Sequence, residues 1–415
     1  MRRKEQEETE KGEIIVGLDI GTTKICAVVG EVKGENVDII GVGLHPSVGL
    51  RKGVVVNIES TVASIRKAVE EAELMAGCEI SSAYVGIAGS HIKGFNSHGI
   101  IAIKNREISQ EDIARVIDAA RAVAIPLDRE VIHILPQEFM VDDQTGIQDP
   151  LGMTGVRLEA DVHIVTGAVT SAHNIVKCAN KAGLDVCDIV LESLASAEAV
   201  LSREEMDLGV GLLDIGGGTS DLAIFSGGSI KHTFVLGLGG NNLTNDLAVG
   251  LRTPFKDAER LKINYGSAIA SMIGKDHTIE VPSVGGRRPR ILSQKTLCEI
   301  LEPRVEEMLI LVNQEMEKSS CKSLTTSGVV VTGGCSLLPN IVEMGEQIFD
   351  LPVRVGFPKD IGGLKGIVES PIYATAVGLV VFGMNNEAGR KFRIRDEKIF
   401  GRVAGRMKQW FNKIM

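Results

Sequence analysis

The chain of 415 residues has little of what marks several common classes of protein. Its seven cysteines are scattered with no CxxC pair, and their odd number favours reduced cytoplasmic thiols over a disulfide framework. Its eight histidines show no HExxH or comparable spacing, so no structural zinc site is expected. The formal net charge of −9 argues against a protein that binds nucleic acid.

Long apolar runs are also missing. No segment approaches the roughly 20 apolar residues of a membrane-spanning helix, and the best candidate, residues 375–384, is better interpreted as a core helix. The charged residues 1–12 lack the apolar stretch of a secretory signal, and we expect a disordered leader there. The hydrophobic content of 44%, in a chain longer than one ordinary domain, predicts sizeable cores.

What the sequence does contain is one glycine-rich pattern, twice. VGLDIGTTKICAVVGEV from Val16 and LLDIGGGTSDLAIF from Leu212 both consist of an apolar strand, an aspartate, a turn of glycines and hydroxyls, and a second strand. Each copy continues through a short polar turn into a third apolar run, residues 37–44 and 230–238. The strands are apolar and partly β-branched, as in strands buried on both faces. The repetition predicts a duplicated β-meander and a protein of two lobes.

The residues of the two turns indicate phosphate binding. Small residues let backbone N–H groups approach phosphate oxygens closely, and hydroxyls add donors. Phosphate would repel the strand-terminal Asp19 and Asp214, so we expect them to hold waters of a hydrated Mg²⁺. One glycine turn between buried strands is commonplace, but two copies that share the aspartate favour a nucleotide site.

A third glycine turn follows a third apolar strand. The segment VVVTGGCSLLP predicts a strand over residues 329–331, a turn at Gly333 and Gly334, and a helix that opens near Leu338 with Pro339 in its first turn. Adjacent glycines after a buried strand would let a flat base lie against the backbone.

The three motifs, in this order and with these spacings, resemble the actin, sugar-kinase and heat-shock-chaperone ATPase superfamily, and within it the FtsA family. The resemblance extends from about residue 13 to the end of the chain. It implies an α/β, two-lobed, actin-like fold of the duplicated ribonuclease-H type, with ATP and Mg²⁺ in the cleft. The residues that match the two phosphate loops and the adenosine loop are Asp19, Gly21, Thr22, Thr23 and Lys24, then Asp214, Gly216, Gly217, Gly218, Thr219 and Asp221, then Gly333, Gly334 and Ser336.

Two further pairs of residues are assigned to the nucleotide by the resemblance. Glu259 and Lys262, which a spacing of three puts on one helical face, resemble ribose and adenine contacts. The alternative for them is a solvated ion pair. Gly239 and Gly240, at the end of the third strand of the second repeat, would crowd the phosphates.

Hydrolysis would also need a group that orients the attacking water. Asp214 is one candidate. Glu192 is the other, because it resembles the superfamily position of a catalytic Glu or Gln, although an acid favoured by a helix N-terminus is its alternative role. We expect slow or conditional hydrolysis, with ATP mainly setting lobe closure and polymer competence.

Residues 83–162 look like an inserted α+β subdomain. We expect it to open on the strand AYVGIAG, to hold a helix that begins at Ser109 with Asp112 in its first turn, and to contain strands near residues 130–141 and 159–167. The resemblance implies a mobile subdomain used for self-association and for contacts with other division proteins. The alternative is an insertion with no such role.

A second insertion, residues 227–303, is expected in the second lobe. Its basic loop GGRRPR carries Arg287, Arg288 and Arg290 just before a helix that begins near Ser293. The resemblance implies that this subdomain receives the C-terminal tail of FtsZ, and guanidinium groups suit a peptide with carboxylates. A solvated loop is the alternative.

The C-terminal segment IFGRVAGRMKQWFNKIM predicts an amphipathic helix after a polar linker. A basic helix with aromatic anchors lies in the plane of an anionic membrane; docking on the protein's own core or a partner is the alternative. The expected membrane-facing residues are Phe400, Val403, Arg406, Met407, Trp410, Phe411 and Ile414. The expected divisions are a leader (1–12), first-lobe core (13–82 and 163–197), inserted subdomain (83–162), second-lobe core (198–226 and 304–383), second-lobe insertion (227–303), linker (384–398) and helix (399–415).

The resemblance to the FtsA family, together with these features, implies an ATP-binding scaffold of cell division. It would polymerise, anchor FtsZ filaments to the cytoplasmic face of the inner membrane at the septum, and recruit other divisome proteins. The nearest alternative is a PilM-like scaffold of a pilus or secretion platform. The basic C-terminal tail disfavours this alternative, and it also disfavours a small-molecule kinase. A chaperone would need a large domain after Gly383, and an MreB-like protein would lack the inserted subdomain.

Overall fold

The computed structural model describes residues 12–275 and 277–386. The expected amphipathic helix, with its membrane-facing residues from Phe400 to Ile414, lies outside the described residues. So do the expected leader and linker, except for Gly12 and residues 384–386. None of the helices in the described ranges has the length and apolar content needed to cross a bilayer.

The first lobe begins with the predicted meander. Its first two strands are mostly apolar and buried after their first residue, which suits strands in the middle of a sheet. The elements are β1 (Ile14–Ile20), β2 (Lys24–Lys33), β3 (Asn36–Pro46), β4 (Leu50–Arg51), β5 (Val54–Val55), α1 (Ile58–Ala76) and β6 (Ser82–Ile87). Helix α1 begins where the Asn57 side chain accepts the Ser60 N–H at 3.0 Å, and ends at Gly77, whose φ of 67° is left-handed.

The inserted subdomain has a sheet and a core of its own. Its elements are β7 (Lys93–Ala102), α2 (Gln110–Arg121), β8 (Arg129–Val141), β9 (Gln144–Ile147) and β10 (Arg157–Ala168). The strands form an antiparallel sheet in the order β7-β10-β8-β9, and α2 packs on it around a separate apolar cluster. The predicted helix start is confirmed, because Ser109 and Asp112 form a reciprocal capping box.

The strand expected to open this subdomain belongs elsewhere. Strand β6 pairs in parallel with β1, at Gly17 with Tyr84 and Leu18 with Val85. Residues 83–87 are all buried, as a central parallel strand requires. The expected boundary at residue 83 therefore moves to the start of the separate sheet at Lys93.

The chain then completes the first lobe and enters the second. The elements are α3 (Val169–Ala182), β11 (Asp185–Leu191), α4 (Glu192–Val200), α5 (Arg203–Leu208), β12 (Val210–Ile215), β13 (Ser220–Ser226) and β14 (Ser229–Leu236). The second meander is confirmed. Strand β14 pairs with β13, so the second-lobe core continues past the expected limit at residue 226.

The rest of the second lobe is mainly helical. Its elements are α6 (Gly240–Gly250), α7 (Phe255–Tyr265), β15 (Thr278–Val281), β16 (Arg290–Ser293), α8 (Gln294–Lys318), β17 (Val329–Thr332), α9 (Ile341–Phe349) and β18 (Val353–Val355). The helix expected near Leu338 begins instead at Ile341, after a single 3₁₀ turn, Gly334–Leu337. The reason is Pro339, since the residue before a proline favours extended backbone and Leu338 adopts a ψ of 123°.

The last described elements return to the first lobe, against the expectation that residues 304–383 stay in the second. They are β19 (Ile361–Gly363), α10 (Lys365–Val368) and α11 (Ala374–Asn385). Strand β19 pairs with β3, and α11, the predicted core helix, packs on β1 and α4. A helix that is apolar all round must be covered on every side. The space between the lobes provides that cover.

The two main sheets have related orders. The first is β11-β6-β1-β2-β3-β19 and the second β14-β13-β12-β17-β18, so each meander sits beside a parallel strand. One apolar cluster joins them, with Val28 from the first sheet, Leu212 from the second and Val377 from α11. All seven cysteines are free, as predicted.

The inserted subdomain also contacts the second lobe directly. A Cβ built on Gly94 of β7 would lie 2.2 Å from Thr233 Oγ1 of β14, so the Thr233 side chain packs directly against the β7 backbone. The fully buried His163 lies between them, with Nε2 2.8 Å from Thr233 Oγ1 and Nδ1 2.6 Å from Asn96 Oδ1. Gln137 Nε2 donates to the Ile230 carbonyl at 2.7 Å. Burial lowers the pKa of His163 to about 3, with a smaller contribution from His232.

Candidate nucleotide-binding site

The two predicted phosphate loops face each other across the cleft. A Cβ built on Gly217 would lie 1.8 Å from Thr23 Oγ1, and one on Gly218 would lie 2.5 Å from Thr22 Oγ1. Any side chain at these glycines would push the two hairpins apart. The glycines therefore allow the two turns to come close enough to enclose a shared ligand.

The N-terminus of α6 closes on the second loop. The Gly240 N–H donates to the Gly216 carbonyl at 2.9 Å, and the Asn241 N–H donates to the Gly217 carbonyl at 2.7 Å. A Cβ on Gly239 would lie 2.7 Å from the Gly216 oxygen. The structure thus brings Gly239 and Gly240 to the phosphate loop, and it adds a helix N-terminus, which attracts anions.

The predicted adenosine loop meets the same strand end. Gly333 has a φ of 81°, and a Cβ there would lie 2.3 Å from Asp214 Oδ1, so both backbone conformation and space require glycine. Gly334 opens the 3₁₀ turn that follows. Ser336 is buried and its hydroxyl donates to the Gly333 carbonyl at 2.8 Å, which fixes the shape of the loop.

The first aspartate is paired within its own hairpin. Asp19 is buried, and Lys24 Nζ lies 2.5 Å from its Oδ2. Burial alone would lower the pKa of Lys24, but the Asp19 carboxylate outweighs it and raises that pKa above the ordinary value. The lysine therefore stays charged and neutralises Asp19.

The second aspartate has hydroxyl partners. Ser196 Oγ of α4 donates to Asp214 Oδ2 at 2.6 Å, and Thr375 Oγ1 of α11 donates to the same oxygen at 3.2 Å. Burial raises the pKa of Asp214, the Ser196 hydrogen bond opposes it, and the Asp19 charge raises it further. Sequence reasoning missed both hydroxyl residues.

Two more carboxyl groups lie around Asp214, and neither forms an ion pair among residues 12–275 and 277–386. Burial, reinforced by Asp214, raises the pKa of Asp221 to about 7, and its Oδ1 has no hydrogen-bond partner within the described ranges. Glu192 is the first residue of α4. Burial raises the pKa of Glu192 well above its ordinary value, followed by the charges of Asp19, Asp221 and Asp214, while Lys24 opposes them. The site therefore carries an excess of acidic groups.

Glu259 and Lys262 form a network at the start of α6. Lys262 is buried, and its Nζ lies 2.8 Å from Glu259 Oε2, 3.0 Å from the Gly240 carbonyl and 2.8 Å from Thr244 Oγ1. The Thr244 hydroxyl also donates to Glu259. Lys262 is therefore buried and does not form a fully solvated ion pair. Its hydrogen bond to the Gly240 carbonyl holds the start of α6, the helix that borders the phosphate loop.

Comparisons with known proteins agree with this geometry. A family model for the cell division protein FtsA matches residues 211–378, and one for the SHS2 domain inserted in FtsA matches residues 89–166. The chain is 53% identical over 380 residues to the cell division protein FtsA of Pseudomonas aeruginosa, with 91% of each chain covered. It is 41% identical over 412 residues to the FtsA of Escherichia coli K12, with 96% of this chain and 98% of that protein covered. The chain belongs to the FtsA family of cell division proteins.

Solved structures with a similar fold place the FtsA-family chain among actin-like proteins. It matches a chain of the PilM-PilN type IV pilus biogenesis complex with a TM-score of 0.65 at 16% identity, covering 89% of this chain and 98% of that one. It matches MreB5 of Spiroplasma citri bound to ADP with a TM-score of 0.55 at 16% identity, covering 90% and 96%. The predicted α/β actin-like fold is confirmed, and PilM is a distant neighbour that shares the fold.

The basic loop of this FtsA-family chain lies in the β15–β16 connection. Arg287 and Arg288 are exposed there. Arg290 opens β16 and its guanidinium donates to the Leu251 carbonyl, so it is tied to its own subdomain. The helix predicted to begin near Ser293 does so, with Ser293 as its N-cap.

Proposed function

We propose that this FtsA-family protein binds ATP with Mg²⁺ in the cleft and anchors FtsZ filaments to the cytoplasmic face of the inner membrane. The observation that carries the proposal is the contact between the two hairpins, where the Cβ positions of Gly217 and Gly218 are taken by Thr23 and Thr22. In this proposal, backbone N–H groups of the two turns would bind a chain of phosphates.

The residues present fit the nucleotide and its metal. The excess of buried acid at Asp214, Asp221 and Glu192 suits a divalent cation, and the unpartnered Oδ1 of Asp221 is an orphan that an ordered water could satisfy. Asp19 and Asp214 would hold the Mg²⁺ through water. When bound, Mg²⁺ would offset the negative charge of the phosphates and carboxylates.

The remaining candidates have separate tasks in this proposal. Glu259 and Lys262 would border the ribose and adenine, and Gly333 with its neighbours would face the base. We expect slow or conditional hydrolysis, in which Asp214 or Glu192 would orient the attacking water. ATP would then mainly set lobe closure and polymer competence.

The FtsZ tail would bind at the β15–β16 connection. The exposed guanidinium groups of Arg287 and Arg288 suit the carboxylates of an acidic peptide. Two neighbouring apolar side chains are also exposed, Val284 by 48% and Ile291 by 74%, and would complement its apolar residues. Charge and apolar surface therefore occur together at this place.

Charge reversal tests this partner site. The double variant Arg287→Glu/Arg288→Glu should weaken binding of a labelled FtsZ tail peptide at least tenfold in an anisotropy titration, at moderate salt. Lys67→Glu/Lys177→Glu makes the same charge change at exposed first-lobe positions and should bind as the unaltered protein does. Equal affinities for both double variants would remove the assignment.

Membrane attachment would come from residues 399–415. Burial of each large apolar side chain contributes roughly 1.5–3 kcal/mol, and each nearby Lys or Arg contributes about 1 kcal/mol. Ordering of the helix offsets much of this, so a single copy would bind reversibly. Polymerisation, for which the inserted subdomain is the candidate surface, would present many helices together and strengthen attachment.

Sedimentation with anionic liposomes tests the whole proposal. The protein should sediment with vesicles, more strongly with ATP and Mg²⁺, and should carry an FtsZ tail peptide with it. Trp410→Glu/Phe411→Glu should abolish sedimentation, whereas Gln409→Glu/Asn412→Glu adds the same charge without removing apolar contacts and should retain most of it. Sedimentation that survives the first pair of changes, or no calorimetric uptake of ATP with Mg²⁺, would contradict the proposal.

A further inference from the structure

Three elements that are distant in sequence meet at one oxygen of Asp214. Ser196 of α4 and Thr375 of α11 both donate to Oδ2, at 2.6 and 3.2 Å, and their hydroxyl oxygens lie 3.1 Å apart. Ser196 is fully buried, and Thr375 and Asp214 are exposed by only 8% and 7%. Hydroxyl groups in this position have no access to bulk water as a substitute partner.

The other oxygen of the same carboxylate has a different environment. Asp214 Oδ1 points toward Gly333, where a Cβ would come within 2.3 Å of it. Gly333 therefore lacks the side chain that would crowd Oδ1. Two hydroxyl groups hold Oδ2, and neither of them donates to Oδ1.

The packing of α11 fixes the position of its threonine. One turn after Thr375, a Cβ on Gly378 would lie 1.8 Å from the Ala195 carbonyl, so α11 and α4 touch through backbone atoms. On the sheet side, a Cβ on Gly17 would lie 2.3 Å from the Ala376 carbonyl. With close backbone contacts on two sides, α11 cannot slide without breaking dense packing.

We infer that Ser196 and Thr375 are positioning residues of the second phosphate loop, which hold Asp214 so that Oδ1 faces the hydrated Mg²⁺ of the bound nucleotide. This inference rests on the proposed function and assigns two residues that no sequence motif contains. Hydroxyl donors suit the task because they fix the direction of a carboxylate without cancelling its charge, whereas a lysine would cancel it. Asp214 thereby keeps its attraction for a cation.

The test is a titration of Mg²⁺ at fixed concentrations of the full-length protein and ATP, with bound nucleotide measured by calorimetry. Thr375→Val keeps the shape of the side chain and removes the donor, and it should raise the Mg²⁺ concentration at half-saturation about five- to tenfold. Thr375→Ser keeps the hydroxyl and should restore the original midpoint. ATP binding in excess chelator should be the same for all three proteins.

A matched control separates positioning from general stability. Thr61 is a fully buried threonine in α1 whose hydroxyl donates to the Asn57 carbonyl at 2.8 Å and does not bond to Asp214. Thr61→Val should lower the thermal midpoint of unfolding by a similar amount and leave the Mg²⁺ midpoint unchanged. If Thr375→Val does not fold, Ser196→Ala removes the other donor and should give a shift in the same direction.

The outcomes distinguish this inference from the proposed function. If the unaltered protein takes up no ATP with Mg²⁺, the proposed function fails and the inference fails with it. If the unaltered protein binds ATP and neither Thr375→Val nor Ser196→Ala moves the Mg²⁺ midpoint, the inference is wrong while the proposed function stands. A shift that Thr375→Ser does not restore would also overturn it.

Discussion

The two hairpins share a sequence pattern and a backbone, but the residues around their aspartates differ. In the first hairpin, Asp19 lies opposite Cys26 in the strand register and is paired with Lys24. In the second, Asp214 lies opposite another acid, Asp221, and its donors are hydroxyls from other elements. The first hairpin supplies a lysine that pairs with its own aspartate, whereas the aspartate of the second hairpin is held by neutral hydroxyl groups.

The contrast extends to the residues that face each aspartate. Burial raises the pKa of the Cys26 thiol to about 12, so it stays neutral. Burial also raises the pKa of Asp221, but only to about 7, so this group titrates near neutral pH. The two hairpins therefore differ in charge. The first carries the neutral pair of Asp19 and Lys24, and the second carries two facing acids, Asp214 and Asp221.

The largest expected effect comes from removing the cation of the first hairpin. Lys24→Met leaves Asp19 buried and unpaired, which should lower the free energy of unfolding by about 3–5 kcal/mol. Urea denaturation followed by circular dichroism measures this. Lys33→Met breaks the exposed pair with Asp38 and should have little effect. Similar decreases in the free energy of unfolding for both variants would show that the pair of Lys24 with Asp19 does not stabilise the first hairpin.

A substitution at Asp214 in the second hairpin should affect ATP turnover more than ATP affinity. Asp214→Asn keeps the hydrogen-bond geometry and removes the charge, so we expect ATP turnover to fall about 100-fold, which is typical of losing one electrostatic group. ATP affinity should fall less than tenfold. Steady-state kinetics and calorimetry on the same preparation compare the two. Equal losses in both would indicate a binding role alone.

The pH dependence of stability tests the unpaired acid of the second hairpin. Because the folded-state pKa of Asp221 is raised from 3.8 to about 7, its contribution to stability is present below pH 3.8 and is lost as pH rises through 7. Asp221→Asn should therefore stabilise the protein more at pH 8 than at pH 5, by a difference of about 3 kcal/mol. Urea unfolding without nucleotide or Mg²⁺ measures it. If the difference in the free energy of unfolding between the variant and the unaltered protein does not change with pH, the pKa of Asp221 is not raised to about 7.

The smallest expected effect comes from pushing the two hairpins apart at Gly217. Gly217→Ala places a methyl group against Thr23 and should cost about 1–3 kcal/mol of overpacking, seen as roughly tenfold weaker ATP binding. Gly366→Ala is the control, since nothing lies within 4 Å of a Cβ there. Unchanged affinity in Gly217→Ala would mean that the hairpins need not touch.

The sequence predicted the features that depend on neighbouring residues. The two meanders, the glycine turns and the cap at Ser109 follow from patterns within a dozen residues, and the structure has all of them. The actin-like fold was implied by the resemblance of those motifs to the actin-like ATPase superfamily. Local patterns therefore provided the strands, their turns and the general location of the site.

What the sequence did not predict depends on distant contacts. Ser196 and Thr375 reach Asp214 across 18 and 161 residues, and nothing in their local sequence marks a polar contact. Strand β6 was assigned to the insertion because an apolar run fits either sheet. The return of α11 to the first lobe was missed for the same reason, since a helix that is apolar all round does not indicate which sheet covers it.

The contact of His163 with Thr233 has a mechanical consequence. The inserted subdomain is covalently part of the first lobe but rests on β14, the strand that runs directly into Gly239 and Gly240. The lobes are therefore attached at a third place, in addition to the two places where the chain passes from one lobe to the other. Any opening of the lobes must either break the hydrogen bond between the buried His163 and Thr233 or move the inserted subdomain together with the second lobe.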